Sequence, residues 1–333
     1  MTEVYPGIYM ITLHTYFKAF KPPINIYVMP GKENGLVFDA GYGNRKHVAK
    51  VISEINKIKS LDKVKKNNLK IDEILISHAH PDHFSGLNKL KKSLGLSIVL
   101  TEMMAELIKS GKNYRESYLY IEMKKGNFYR FKYRIIKFLS IIGGYFYKWL
   151  YGISYISEPD KIIKDNAEIV INNEKWKIFP SPGHSDDHIS LYNEKDGILL
   201  AGDNILRSKT SWLGPPKSDL LKYVDSMEEI RRLPKLKLIL SAHGSPITNP
   251  QERIKQIIDW RIHRIEDVFN VISDAGSSGI TFKNIFKQLY PGEGYIKYKM
   301  VEGWIRLTLK YLIEKKRILQ VFKRGKGYYI LSL

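Results

Sequence analysis

Residues 77–86 read Ser77-His78-Ala79-His80-Pro81-Asp82-His83-Phe84-Ser85-Gly86, with three imidazoles and a carboxylate inside six positions. Without a cation, so many polar groups in one short loop would be costly to satisfy, and the donor types are those of a transition-metal site. Residues 71–77 (I-D-E-I-L-I-S) form an apolar run of strand length. Phe84, Ser85 and Gly86 lead into a Leu- and Lys-bearing helical pattern. The cluster therefore sits on a strand-to-helix loop at the carboxyl end of a buried strand, where open α/β sheets place ligands.

One loop cannot complete two coordination spheres, and working outward the same arrangement recurs. His184 follows the strand-like Trp176-Lys177-Ile178-Phe179 in P-G-H-S-D-D-H. Asp203 ends the apolar run G-I-L-L-A-G-D, and His243 ends L-K-L-I-L-S-A-H-G. Each candidate ligand closes a short apolar run, which predicts strand ends converging on one rim of a sheet.

The ordered set H-x-H-x-D-H, P-G-H, A-G-D and A-H-G, preceded by F-D-A-G-Y-G at residues 38–43, resembles the metallo-β-lactamase superfamily over residues 1 to about 250. The resemblance implies an α/β chain folded as an αβ/βα four-layer sandwich. It implies one metal held by His78, His80 and His184, a second by Asp82, His83 and His243, and Asp203 bridging the two. Asp39 matches the aspartate that orients a metal-binding histidine. The donors, all nitrogen and oxygen with Cys absent, fit two Zn²⁺, with Fe or Mn as alternatives. The redox branch of the superfamily resembles H-x-E-x-D-H, and His80 occupies the position of its glutamate. The implied chemistry is hydrolysis by a metal-bridging hydroxide, with Asp82 also a candidate catalytic proton shuttle. His188 and Asp187 are expected to support the site rather than ligate.

Net charge is +20, and it is localised. Residues 109–164 hold 12 Lys or Arg against 4 Asp or Glu, and residues 251–333 hold 16 against 8. Such basic regions favour polyanions, single-stranded nucleic acid among them. The absence of Cys excludes a disulfide framework and thiol catalysis. The first residues, M-T-E-V-Y-P-G, lack the pattern of a secretory signal, so a cytoplasmic location is expected.

Residues 105–155 interrupt the hydrolase pattern with interleaved aromatics and cations. Lys137 and Lys148 bracket a stretch too short to cross a bilayer, so no transmembrane segment is expected. Two helices hinged at Gly143-Gly144 and lying over the metal cleft as a lid are predicted. From residue 251 a linker helix over 250–275 leads to a short helix through Ile285 and Leu289, a helix over 298–315, and a hairpin about residues 323–327. This is a winged-helix pattern. Such modules contact nucleic acid through helix and wing, or pack, including as homodimers.

The P-G-H-S-D-D-H motif, the W-R-I-H-R helix at residues 260–264 and the winged-helix tail resemble the β-lactamase-like protein 2 subgroup. Its animal members are single-strand-selective endoribonucleases, and many microbial members are labelled hydroxyacylglutathione hydrolase-like. A phosphodiester of single-stranded RNA is accordingly the first expected substrate. A thioester, ester or lactone with a small acyl group is the second. A winged-helix nucleic-acid-binding regulator with a sensing metal site is the third reading.

Overall fold

Strands covered on both faces must be apolar throughout, and β3 (Ile24–Met29) is buried at every residue. It lies inside a seven-stranded sheet in the order β1 (Thr2–Tyr5), β2 (Ile8–Leu13), β3, β4 (Leu36–Phe38), β5 (Glu73–Leu75), β6 (Ser97–Thr101), β7 (Lys161–Ile163). The pairs from β1 to β4 are antiparallel and those from β4 to β7 parallel. The chain is seen in a computed structural model that describes residues 1–15, 21–118, 141–323 and 325–332.

Parallel neighbours require crossovers, and these are helical. α1 (Arg45–Ser60) and α2 (Asp62–Lys66) link β4 to β5, and α3 (Pro81–Phe84) and α4 (Leu87–Leu94) link β5 to β6. α1 buries Val48, Val51, Ile55 and Ile58, spaced as one helical face. α5 (Glu102–Ile108) and α6 (Gly111–Tyr118) open the connection from β6 to β7, and α7 is described over residues 141–151.

The second sheet runs β12 (Leu238–Ser241), β11 (Ile198–Gly202), β10 (Ile189–Asn193), β9 (Glu174–Pro180), β8 (Glu168–Ile171). Only its β11–β12 pair is parallel, with α8 (Leu220–Arg231) between the two strands. Successive side chains of a strand point to opposite faces. Ile198, Leu200 and Leu240 accordingly join the core shared with the first sheet, while Leu199, Ala201 and Ile239 join the core under the helices. Helices thus cover the outer face of each sheet, the expected αβ/βα sandwich.

α9 (Pro250–Asp274) buries Ile254, Ile257, Ile258, Arg261, Ile265, Val268 and Ile272 along one face. α10 (Phe282–Leu289), α11 (Tyr295–Glu314) and the antiparallel hairpin β13 (Ile318–Lys323)–β14 (Lys326–Leu331) follow. Their buried side chains are continuous with the helix-side core of the second sheet. α11 begins three residues before its expected start.

The predicted hinge needs correction. Gly143 and Gly144 lie inside the helical run 141–151. Glycine in a helix costs only about 1 kcal/mol relative to alanine, too little to force a break. A Cβ at Gly144 would meet only the Arg115 side chain of α6, and one at Gly143 would meet nothing within 4 Å. The remainder of the predicted lid, residues 119–140, lies outside the described residues.

Candidate metal centre

Strands β4, β5, β9, β11 and β12 all end on the same rim, and each delivers a polar side chain just past its last residue. Two glycines make the convergence sterically feasible. At Gly183 (φ +132°) a Cβ would come within 2.3 Å of the Tyr223 Cα, and at Gly202 (φ +50°) within 2.5 Å of His188 Nε2. Pro81 occupies the first turn of α3, where its missing N–H costs nothing, and His80 precedes it. Asp39 adopts φ +70°, a left-handed conformation that Asp tolerates better than most residues.

The seven candidate ligands are brought together. Single donor atoms of His78, His80, His184 and Asp203 lie within 4.8 Å of one another, as do those of Asp82, His83 and His243. His80 Nδ1 is 2.8 Å from His78 Nε2 and 2.9 Å from His184 Nε2. The carboxylate of Asp203 faces both groups. Its Oδ2 lies 3.5 Å from His184 Nε2, and its Oδ1 lies 3.2 Å from His243 Nε2 and 3.5 Å from His83 Nε2. Asp82 contributes Oδ2 at 3.6 Å from His243 Nε2 and Oδ1 at 3.8 Å from His83 Nε2.

The outer nitrogens settle which inner nitrogens are free. Carbonyl oxygens only accept, so His184 Nδ1 donates to Trp212 O (2.8 Å) and His243 Nδ1 donates to Pro23 O (2.5 Å). His83 Nδ1 donates to Asp39 Oδ2 at 3.0 Å. In neutral imidazoles so fixed, Nε2 carries a lone pair turned inward. Asp39 also accepts from the Ser77 amide (2.8 Å) and hydroxyl, tying the ligand loop to β4. The expected support from His188 and Asp187 takes a specific form. His188 Nε2 accepts from the amide of Asp203 (3.1 Å), and Asp187 Oδ2 accepts from the amide of Ala79 (2.7 Å) between the first two histidines.

Electrostatics divides the centre in two. Burial, reinforced by neighbouring imidazoles, holds His78 and His80 well below the ordinary histidine value. Burial also lowers His184, against the pull of Asp203. In the other half burial again opposes charge on histidine, but Asp39, Asp203 and Asp82 outweigh it and raise His83 well above its ordinary value. Asp203 and Asp82 likewise overcome burial at His243, pushed up to about 9. For Asp203 burial is overcome by His243 and His83, which hold the carboxyl well below its usual range. The buried His83 Nε2 and Asp203 Oδ1 have no hydrogen-bond partner. Inward lone pairs on one side, and carboxylates attracting protons on the other, are what two cations would satisfy. The cluster is suited to binding two metal ions.

Aromatic residues border it. The Tyr118 ring of α6 stands 6.2 Å from that of His80, Tyr114 lies 4.9 Å from Tyr118, and Tyr155 lies 6.0 Å from Tyr114. On another side Tyr42 packs 5.7 Å from Tyr151. A cleft of about 1240 Å³, bordered by Glu102, Lys109, Lys217 and Lys222, has Asp187 and His188 in its lining but none of the seven candidate ligands. Sequence reasoning missed Ser77, Pro23, Ser211 and Trp212 as partners of the histidines. Two of these act through backbone carbonyls, which carry no residue-type signal.

The fold and this centre define a class, and comparison with known proteins supplies the family. The metallo-beta-lactamase superfamily profile matches residues 20–243, well over half of the chain. The chain belongs to that superfamily, and it is a metal-dependent hydrolase. A probable metallo-hydrolase of Bacillus subtilis, YqjP, is 26% identical over 279 residues, 80% of each chain. A beta-lactamase-like protein 2 homolog of Caenorhabditis elegans is 26% identical over 150 residues, 45% of this chain and 48% of the other. A hydroxyacylglutathione hydrolase of Francisella tularensis is 23% identical over 170 residues, 51% and 48%. The chain thus spans about half the length of the last two. The fold is shared with a beta-lactamase domain protein from Burkholderia ambifaria, with a TM-score of 0.75 at 18% identity over 99% of this chain and 93% of that one. Among the described residues no helix is long and apolar enough to cross a membrane.

Proposed function

We propose that this hydrolase uses two zinc ions to cleave a phosphodiester of single-stranded RNA. The observation that carries the dinuclear reading is the Asp203 carboxylate, whose two oxygens face separate histidine groups. His78, His80 and His184 would hold one ion and Asp82, His83 and His243 the other, with Asp203 shared. When bound, the ions would lower the pKa of a water from about 15.7 to near 7 and stabilise charge developing on the substrate oxygens. The protein's own part is to aim and to exclude. Asp39, Trp212 O and Pro23 O lock three imidazoles in one tautomer, and the Tyr118 ring flanks His80 on one side of the centre. Asp82, 3.8 Å from His83 Nε2 and 3.6 Å from His243 Nε2, would hold a proton for the leaving oxygen.

The nucleic-acid reading is supported by the clustering of positive charge in residues 109–164 and 251–333. It is supported too by the Tyr118 ring 6.2 Å from that of His80, an aromatic surface of the kind that stacks on bases. In this reading α10, α11 and the β13–β14 hairpin serve as a winged-helix module that grips the strand outside the cleft. A second reading, hydrolysis of an acyl thioester, is favoured by the hydroxyacylglutathione hydrolase among the relatives.

One experiment separates them. Metal content is measured on the purified protein, and turnover of a fluorescent single-stranded RNA and of an acyl thioester is followed with and without chelator. Chelator-sensitive RNA cleavage that disappears in Asp203→Ala, and whose binding weakens steeply with salt, is the expected result. Thioester turnover with no RNA cleavage would move the assignment to acyl hydrolysis.

A further inference from the structure

The superfamily match ends at residue 243, yet the partners of His184 are held from beyond that point. His184 Nδ1 is bonded by Trp212 O (2.8 Å) and Ser211 Oγ (2.9 Å), and its carbonyl accepts from Ser218 Oγ (2.7 Å). These three residues belong to the loop between β11 and α8, which has no regular structure of its own over residues 211–214. Its backbone is gripped by α9. Arg253 donates to Leu206 O (2.7 Å) and Lys209 O (2.8 Å), and Arg261 donates to Ser211 O. α11 closes the other side, with Lys310 2.6 Å from Asp219. Gly303 approaches so near that a Cβ would meet Pro215 Cδ at 3.2 Å.

Arg261 is the unusual member. It is 6% exposed, and among the described residues no carboxylate lies within ion-pair distance of it. A buried cation without a counter-charge is a liability to the fold unless something else requires it. Its guanidinium lies over the rings of Tyr223 (5.1 Å) and Trp260 (4.9 Å). Tyr223 donates in turn to Asn204 O (2.7 Å), next to Asp203. One side chain thus reaches the loops behind two candidate ligands.

We infer that Arg261 is a positioning residue of the metal centre, which through Ser211 holds the acceptors of His184 Nδ1 in place and so keeps Nε2 aimed at the first ion. The C-terminal region is on this account a component of the hydrolase centre, beyond any contact it makes with substrate. The inference rests on the reading of the two groups as metal ligands.

The test reads metal affinity instead of turnover. Arg261→Met is combined with His243→Ala, which leaves the first site, and separately with His78→Ala, which leaves the second. Zinc(II) affinity is measured in each by competition with a chromophoric chelator, and folding is monitored by thermal melting. The expected result is about 10–100-fold weaker zinc binding at the first site, as for loss of an orienting partner, with Arg261→Lys restoring part of it and the second site changed less than threefold. Unchanged first-site affinity in the folded protein overturns the inference. Equal weakening at both sites also overturns it, because that marks a general structural role. Should Arg261→Met not fold, Arg261→Gln, shorter and uncharged, is measured in its place with the same expectation and the same contrary result. A protein that binds no zinc at all would instead defeat the metal-site reading itself.

Discussion

Asp203 Oδ1 lies 3.2 Å from His243 Nε2, while the other oxygen of the same buried carboxylate faces His184. A group placed between two sites couples them. Asp203→Asn keeps the shape but removes the charge that both cations would share. We expect fewer than two metals per chain and at least a ~100-fold loss of turnover, the order seen when one preorganised electrostatic group is removed. Elemental analysis and a kinetic assay on the same preparation check this.

Metal uptake should release protons. At pH 7 the metal-free protein holds a proton on His243, pushed up to about 9, and on His83, raised well above its ordinary value. A cation needs the neutral imidazoles, so binding displaces both protons and affinity rises with pH. The rise due to His243 levels off above about pH 9, as its imidazole becomes neutral. Calorimetric titration with zinc in buffers of different ionisation heat measures the number released, and zero release at pH 7 would contradict the assigned charges.

Asp39 is tested by a change that spares the backbone. Its φ of +70° is tolerated by Asn but costs most other residues roughly 1–2 kcal/mol. Asp39→Asn should therefore fold, while the loss of the negative acceptor for His83 Nδ1 weakens metal binding at the second site by about 10–100-fold. Asp39→Val should in addition melt at a lower temperature.

Asp82 is given two tasks, as ligand and as proton holder, and one substitution distinguishes them. In Asp82→Asn the amide oxygen can still reach a cation but the side chain cannot hold a proton. Turnover lowered about 100-fold at full metal content, with the loss greatest for poor leaving groups, is expected of general acid–base work. Full metal and full turnover would remove the proton role.

Much of this was legible in the residue order because the chemistry is local. His78, His80, Asp82 and His83 sit within one turn after β5, and His184, Asp203 and His243 each follow an apolar run that ends as a strand. Alternating burial such as that of Ile198, Leu199 and Leu200 comes from strand geometry and needs no knowledge of the partner. α9 could likewise be read to within a residue because its isoleucines repeat at helical spacing. The Gly143-Gly144 pair misled, since a helix tolerates glycine at a cost of only about 1 kcal/mol each, and residue identity alone does not tell such a glycine from one at a bend.

What sequence by itself determined was the set of ligand types and the strand ends that carry them, because both depend on residue identity and short-range periodicity. Only the tertiary structure decided which carboxylate oxygen faces which histidine, and that Trp212 O and Pro23 O set two tautomers. It alone revealed Arg261 behind His184. Those relations join residues tens to hundreds of positions apart, several through backbone carbonyls that every residue possesses, so they exist only once packing has brought the strands and helices together.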